Sequence, residues 1–309
     1  MQEYRRQERL MGSAFEFAIA IPDGPERAEA LLNDCVAEVR RLEALLTEFS
    51  DTSDTGRING NAGIAPVVVA EETAALLVRS TQISALTSGA FDVSAGALKK
   101  LYTFKNGEAV PAEKAAVAAT IALTGYRQIE FYPDNAVFLP RKGMRIGFGG
   151  IGKGYAADRV RTLLRQKGVL HAAVNASGDL SIWGARPDGA PWKAGIAHPD
   201  RPGEIVYWLP VSGEMCIATS GNYEKYFEYR GRRYGHTIDP RNGLPVTGIK
   251  SVTVISPGAE LSDALATAVT VMGVREGLDF IGQLPQTHCI IIDDHNKVHT
   301  SRHLHLHEN

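Results

Sequence analysis

Residues Arg145 to Asp158 read RIGFGGIGKGYAAD, five glycines and one lysine in fourteen positions, with a helical pattern taking over at the end. Glycine has no Cβ, so a ligand can approach its backbone closely. A helix opening straight after such a loop presents free N–H groups and the positive end of its dipole, and the natural occupant is a phosphate. Two phosphate motifs nearly fit. Gly147, Gly149 and Gly152 match GxGxxG, while Gly147, Gly152 and Lys153 match GxxxxGK, but Gly154 stands where a P-loop needs the hydroxyl that holds magnesium. A dinucleotide fingerprint in turn needs a buried strand that opens a βαβ unit. What precedes the loop reads instead as a hairpin deep inside the chain, AVFLP, RKG and then MRIGF. Two readings stay open on these residues: a phosphate cradle, or a glycine-rich β-to-α turn that only packs closely.

Working outward, SAFEFAIAI over Ser13 to Ile21 alternates and predicts a strand, and apolar spacing from Glu26 to Glu48 predicts a long helix. FSDTSDTGRINGNAG, which follows, reads as a polar loop that bonds to its own backbone and can also line a site. Glu71 to Ser88 predicts a second amphipathic helix, with Gly89 at its C′ position. Phe91 and Asp92 come directly after it. They either stack on a flat ring and accept a hydrogen bond from it, or form a buried phenylalanine beside a turn-forming aspartate. Pro111 to Ala119 suits a short helix, and YRQIEFY and AVFLP suit strands. Beyond the glycine loop, Tyr155 to Gln166 continues as a helix ended by Gly168. HAAVNASGDLSIWG then gives two strands about a tight break, and WKAGIAHP and EIVYWLPV add more. The expected fold is α+β, with mixed, largely antiparallel sheets and flanking helices. No repeat or linker divides residues 1–309, so one domain is expected.

Two further regions are dense in chemistry. In ATSGNYEKYFEYRGRRYGHTIDPRNGLP, Thr219, Ser220 and Asn222 precede a hairpin turning at Arg230-Gly231, whose return strand delivers His236 and Asp239. A histidine in a strand is commonly a satisfied core residue, but this one is bracketed by a carboxylate and a hydroxyl-rich turn, the company of a general base. In KSVTVISPGAELSDALATAVTVMG, Ser262 is the expected N-cap of a helix from Leu261 to Met272, with Asp263 and Thr267 one turn apart on one face. Those two are half of a magnesium site, or else an acid complementing the helix dipole and a threonine bonding back to its own helix.

Composition narrows the class. Lys plus Arg number 33 against 35 Asp plus Glu, which leaves no basic field for nucleic acid and no polybasic membrane patch. With 44% hydrophobic residues in 309, the chain can fill a core. No apolar run approaches the roughly 18 residues of a membrane span, and the N-terminus has no secretory apolar segment. The protein is expected to be cytoplasmic as written, or periplasmic if a leader has been removed. Cys35, Cys216 and Cys289 are far apart and in no metal-ligand spacing, so they read as buried thiols. The tail VHTSRHLHLHEN alternates histidines at 303, 305 and 307, to which no function is assigned.

Taken together, the ordered blocks MGSAFEF, FSDTSDTGRIN, SGAFDVSAGAL, GGIGKGYAADRV, NASGDL, ATSGNYEKYF, GHTIDPRNG, SVTVIS and DALATA resemble the FAD:protein FMN transferases, the ApbE-type flavin transferase family. The resemblance runs almost end to end. It implies an α+β protein that uses FAD with Mg²⁺ and moves the FMN half onto a threonine hydroxyl of an acceptor protein, releasing AMP. It places the flavin near Met11, Phe49 and Ala90-Phe91-Asp92, sets Lys153 and His236 on the pyrophosphate, and gives the metal to Asp263, Thr267 and the Gly150 carbonyl. His236, Lys153 and Asp263 are then the expected catalytic residues, with His236 as the base. The resemblance also implies a departure, since many members of that family carry Asp, read there as a flavin contact, where this chain has Gly147. An FAD pyrophosphatase and a non-catalytic FAD-binding protein are the alternatives the same residues allow.

Overall fold

The structure is a computed structural model that describes residues 1–104, 107–108, 111–201, 203–211, 213–222, 226–302 and 304. The histidines at 303, 305 and 307 lie outside the described residues. The chain opens with β1 (Gln2–Leu10) and β2 (Ser13–Ile21), then α1 (Pro25–Leu46), α2 (Asp54–Gly60), β3 (Val67–Val68) and α3 (Glu71–Leu86). The middle holds α4 (Gly96–Lys99), β4 (Gly107–Glu108), α5 (Lys114–Ile121), β5 (Glu130–Tyr132), β6 (Ala136–Phe138) and α6 (Gly152–Gln166). Then come β7 (Ala172–Ala176), β8 (Asp179–Gly184), β9 (Trp192–Ala197), β10 (Ile205–Val211), β11 (Gly213–Gly221), β12 (Tyr226–Tyr229) and β13 (Arg232–Gly235). The chain closes with β14 (Ile249–Ser256), α7 (Ala259–Met272), α8 (Val274–Ile281), β15 (His288–Asp293) and β16 (Val298–Thr300).

Among the described residues, eight strands form one sheet in the order β1-β2-β7-β8-β11-β14-β15-β16. Every neighbouring pair in it is antiparallel. Because side chains alternate along a strand, the sheet has two faces with different partners. Phe15, Phe17 and Ile19 of β2 and Cys216 of β11 join the core made with α1, α3 and α6, while Val252 and Val254 of β14 pack with α7 and α8. Ala18, Ile182, Ile217, Ile255 and Ile290 point the other way, under the β9–β10 hairpin. The α+β expectation holds, with helices on one face and a hairpin on the other. The cysteines are free and buried; burial pushes Cys35 and Cys289 up to about 12 and Cys216 up to about 11.

The structure departs from the sequence reading in four places. The polar stretch after α1 is not all loop: Ser53 caps α2 by accepting the Gly56 N–H at 2.9 Å. MRIGF does not fold back on AVFLP. Instead β6 pairs with β3 and β5, and the Gly147 N–H donates to the Val93 carbonyl at 2.9 Å, with Arg145 bridged to Ala95. Asn59 fixes that detour, its amide accepting the Ile146 N–H at 2.8 Å and donating to the Ile146 carbonyl at 3.0 Å. Nor is Ser262 an N-cap. It lies inside α7, bonded to Ser256 at 2.8 Å, and the cap position is Gly258. Finally, the charged residues 2–10, which carry no apolar signal, form the edge strand β1.

Candidate functional site

A cavity of about 880 Å³, within the range of small-molecule sites, opens on the hairpin face of the sheet. Its wall runs from Ile182, Ile217 and Trp192, past the β7–β8 turn, to the start of α6 and the inner face of α7. The turn is tight because Ser177 and Gly178 both take positive φ, 58° and 101°, the conformation of a two-residue hairpin turn. Asp179 leaves that turn directly beneath the α6 start and forms an ion pair with Lys153.

The electrostatics at this end are concentrated. Asp179 is 1% exposed. Burial and then the neighbouring charge of Asp263 push its carboxyl up to about 7, while Lys153 and the Thr219 N–H pull it down. Burial also raises the Asp263 carboxyl, against the pull of Lys153 and the Lys153 and Gly154 N–H groups. The Gly154 N–H donates to Asp263 Oδ2 at 3.1 Å. The first free amides of α6, which the sequence reading offered to a phosphate, are therefore held by a carboxylate from α7. The converse contact also exists: Asp158 of α6 accepts the Glu260 N–H of α7 at 2.9 Å. Two helices thus cap each other's N-terminal turns. Their approach is so close that a Cβ on Gly154 would lie 2.1 Å from the Ala259 carbonyl oxygen.

One turn beyond Asp263, Thr267 lies against the glycine loop: a Cβ on Gly150 would be 2.9 Å from Thr267 Oγ1. Asp263, Thr267 and the Gly150 backbone so converge at one end of the cavity. Among the described residues no group of three or more His, Cys, Asp or Glu side chains could hold a metal ion. What is present is an oxygen set, the Asp263 carboxylate and the Thr267 hydroxyl beside the Gly150 backbone, with a second buried carboxylate, Asp179, sharing Lys153 with Asp263. That chemistry fits a hard divalent cation, which neutralises the carboxylates and leaves positions for ligand oxygens.

The other expected site residues divide. Ala90, Phe91, Asp92, Gly150, Lys153, His236, Asp263 and Thr267 all line the cavity. Phe91 is 4% exposed and is also a core residue. The Asp92 carboxylate ties a turn, accepting from the Ser94 N–H at 2.8 Å and the Tyr126 N–H at 3.0 Å. Asp239 is likewise committed, to Arg241 and Asn242, which leaves His236 as the imidazole on the wall. Met11 and Phe49 are not part of the wall. Met11 sits in the β1–β2 turn with φ 49° and packs against the core near Gly152, and Phe49 is 94% exposed. Asp179 escaped the sequence reading. Its place in the tight NASGDL break explained an aspartate there without a charge partner, and nothing local named Lys153.

The family model described as the ApbE family matches residues 11–291. An FAD:protein FMN transferase of Klebsiella pneumoniae (strain 342) is 33% identical, over 92% of this chain and 87% of its own. One from Treponema pallidum is 28% identical over 97% of this chain and 87% of its own. Among solved structures, the ApbE protein of Thermotoga maritima superposes with a TM-score of 0.86 at 29% identity, covering 97% of both chains. The flavinyl transferase ApbE of Pseudomonas stutzeri, in its apo form, gives 0.84 at 29% identity over 97% of this chain and 95% of that one.

Proposed function

The chain belongs to the ApbE family, and from that premise we propose that it transfers the FMN half of FAD to an acceptor protein and releases AMP. The observation that supports this most directly is the convergence of Lys153, Asp179, Asp263 and Thr267 at one end of a cavity whose wall also carries His236. In this reading the acceptor group is a threonine hydroxyl and residues 1–309 act as one domain.

A Mg²⁺ held by Asp263, Thr267 and the Gly150 carbonyl supplies, when bound, positive charge to the phosphate oxygens. Lys153 adds a second positive charge there, and Asp179 fixes the ammonium in place. His236 takes the proton of the acceptor hydroxyl. The hydroxyl oxygen attacks the FMN phosphorus. The new P–O bond forms as the bond to the AMP phosphate breaks, and AMP leaves with the bridging oxygen and its electron pair. Phe91 and the 90–92 turn shape the wall that the flavin meets, and Asp92 contributes by holding that turn.

The test is to incubate the protein with FAD, Mg²⁺ and a flavin-acceptor domain, then follow AMP and a fluorescent band on a denaturing gel. Band and AMP in equal amounts are the expected outcome. AMP without a band means an FAD pyrophosphatase, and bound FAD with neither product means a flavin-binding protein. No helix among the described residues is long and apolar enough to cross a membrane.

A further inference from the structure

The cavity wall holds a lysine that the reading above does not use. Lys99 ends α4, and α4 is fixed to the glycine loop: a Cβ on Gly96 would lie 3.0 Å from the Arg145 carbonyl oxygen, and Ala95 bridges to Arg145. This brings Lys99 over the loop, where its Nζ is 2.9 Å from the position of a Cβ on Gly149. The missing side chain at Gly149 is the space the ammonium occupies. Lys99 lines the cavity, and its charge is felt at the Asp263 carboxyl. Lys153, by contrast, shares its charge with Asp179. One lysine facing two buried carboxylates makes a poor anion site by itself, and an exposed ammonium beside the same glycines corrects the balance at little desolvation cost.

We propose that Lys99 is a second phosphate-binding cation of this cavity, acting beside Lys153 on the diphosphate of the bound dinucleotide. The proposal rests on the reading that the cavity takes FAD. Lys99→Met keeps the length of the side chain and removes its charge; Lys99→Arg keeps the charge. Kd for FAD is measured by flavin fluorescence at low and high ionic strength for the wild type and both variants, with thermal melts to confirm folding. Lys99→Met should raise Kd roughly ten-fold, the loss of one hydrogen bond to a charged group. It should also flatten the salt dependence, because a screened charge contact is gone. Lys99→Arg should restore most of both. An unchanged Kd and salt dependence in Lys99→Met overturns the contact. So does a weakened Kd whose salt dependence matches the wild type, since lost packing alone would do that. A wild-type protein that binds no FAD overturns the functional reading itself, a result distinct from either of these.

Discussion

At Asp179 and Asp263 two carboxylates share a buried corner with the ammonium group of Lys153, and the cost of that arrangement is readable in pH. In the folded protein Asp179 holds its proton up to about 7, against 3.8 for an unperturbed carboxyl. Between those values the folded chain binds a proton that the unfolded chain has released, so stability falls as pH rises. The contribution is whole below 3.8 and lost as pH passes about 7. Asp179→Asn removes it. Urea titrations in metal-free buffer across that window should show the wild type losing stability relative to the variant as pH increases; parallel curves would mean an ordinary carboxyl. His236 gives a second residue-scale prediction. His236→Asn should still bind FAD but transfer more slowly, by about 10² to 10⁴ fold, as loss of a general base does. An undiminished rate in a single-turnover assay would remove His236 from the chemistry, and Asp239 could not take its place while bonded to Arg241 and Asn242.

Between elements, the α6–α7 junction decides where the site forms. Each helix lends an aspartate to the other's first turn, Asp263 to the Gly154 N–H and Asp158 to the Glu260 N–H. α3 braces the same junction from outside, with Arg79 paired to Glu260 at 2.7 Å and Glu72 paired to Arg159 at 3.2 Å. The contact tolerates no side chain at Gly154, because the atom in the way is backbone. Gly154→Ala should therefore destabilise by about 3 kcal/mol, at the upper end of overpacking effects, and should also weaken FAD binding by spreading the two helices. Denaturant unfolding of this variant checks the first effect, and a wild-type midpoint would show that the helices separate freely.

For the whole molecule, ligand binding should appear as stability, because the cavity draws its wall from the sheet, the β9–β10 hairpin and both helix starts. FAD with Mg²⁺ at about 100 times Kd should add about 2.7 kcal/mol. The rise in Tm from Mg²⁺ should vanish with a chelator and be absent in Asp263→Asn, which keeps an acceptor for the Gly154 N–H but loses the charge. A full Mg²⁺ response in that variant would place the cation elsewhere.

Much of this architecture was readable from one dimension, because its causes are local. Alternation in Ser13 to Ile21, the apolar spacing of α1, α3, α6 and α7, and the Arg230-Gly231 turn each follow from residues within a few positions of one another. The sequence also marked the glycine loop, His236, Asp263 and Thr267, each with a packing or capping reading beside the functional one, and the resemblance of the ordered blocks to the ApbE-type transferases assigned them to a site. Only the tertiary structure joined Lys153 to Asp179, 26 residues away, and Gly154 to Asp263, 109 residues away. It alone sent 145–147 to pair with 93–95, tied the Asp92 turn to the Tyr126 N–H, 34 residues away, and left Phe49 outside the cavity wall. Those outcomes depend on strand order and helix approach. They are set by burying two faces of one sheet at once, and no local propensity encodes them.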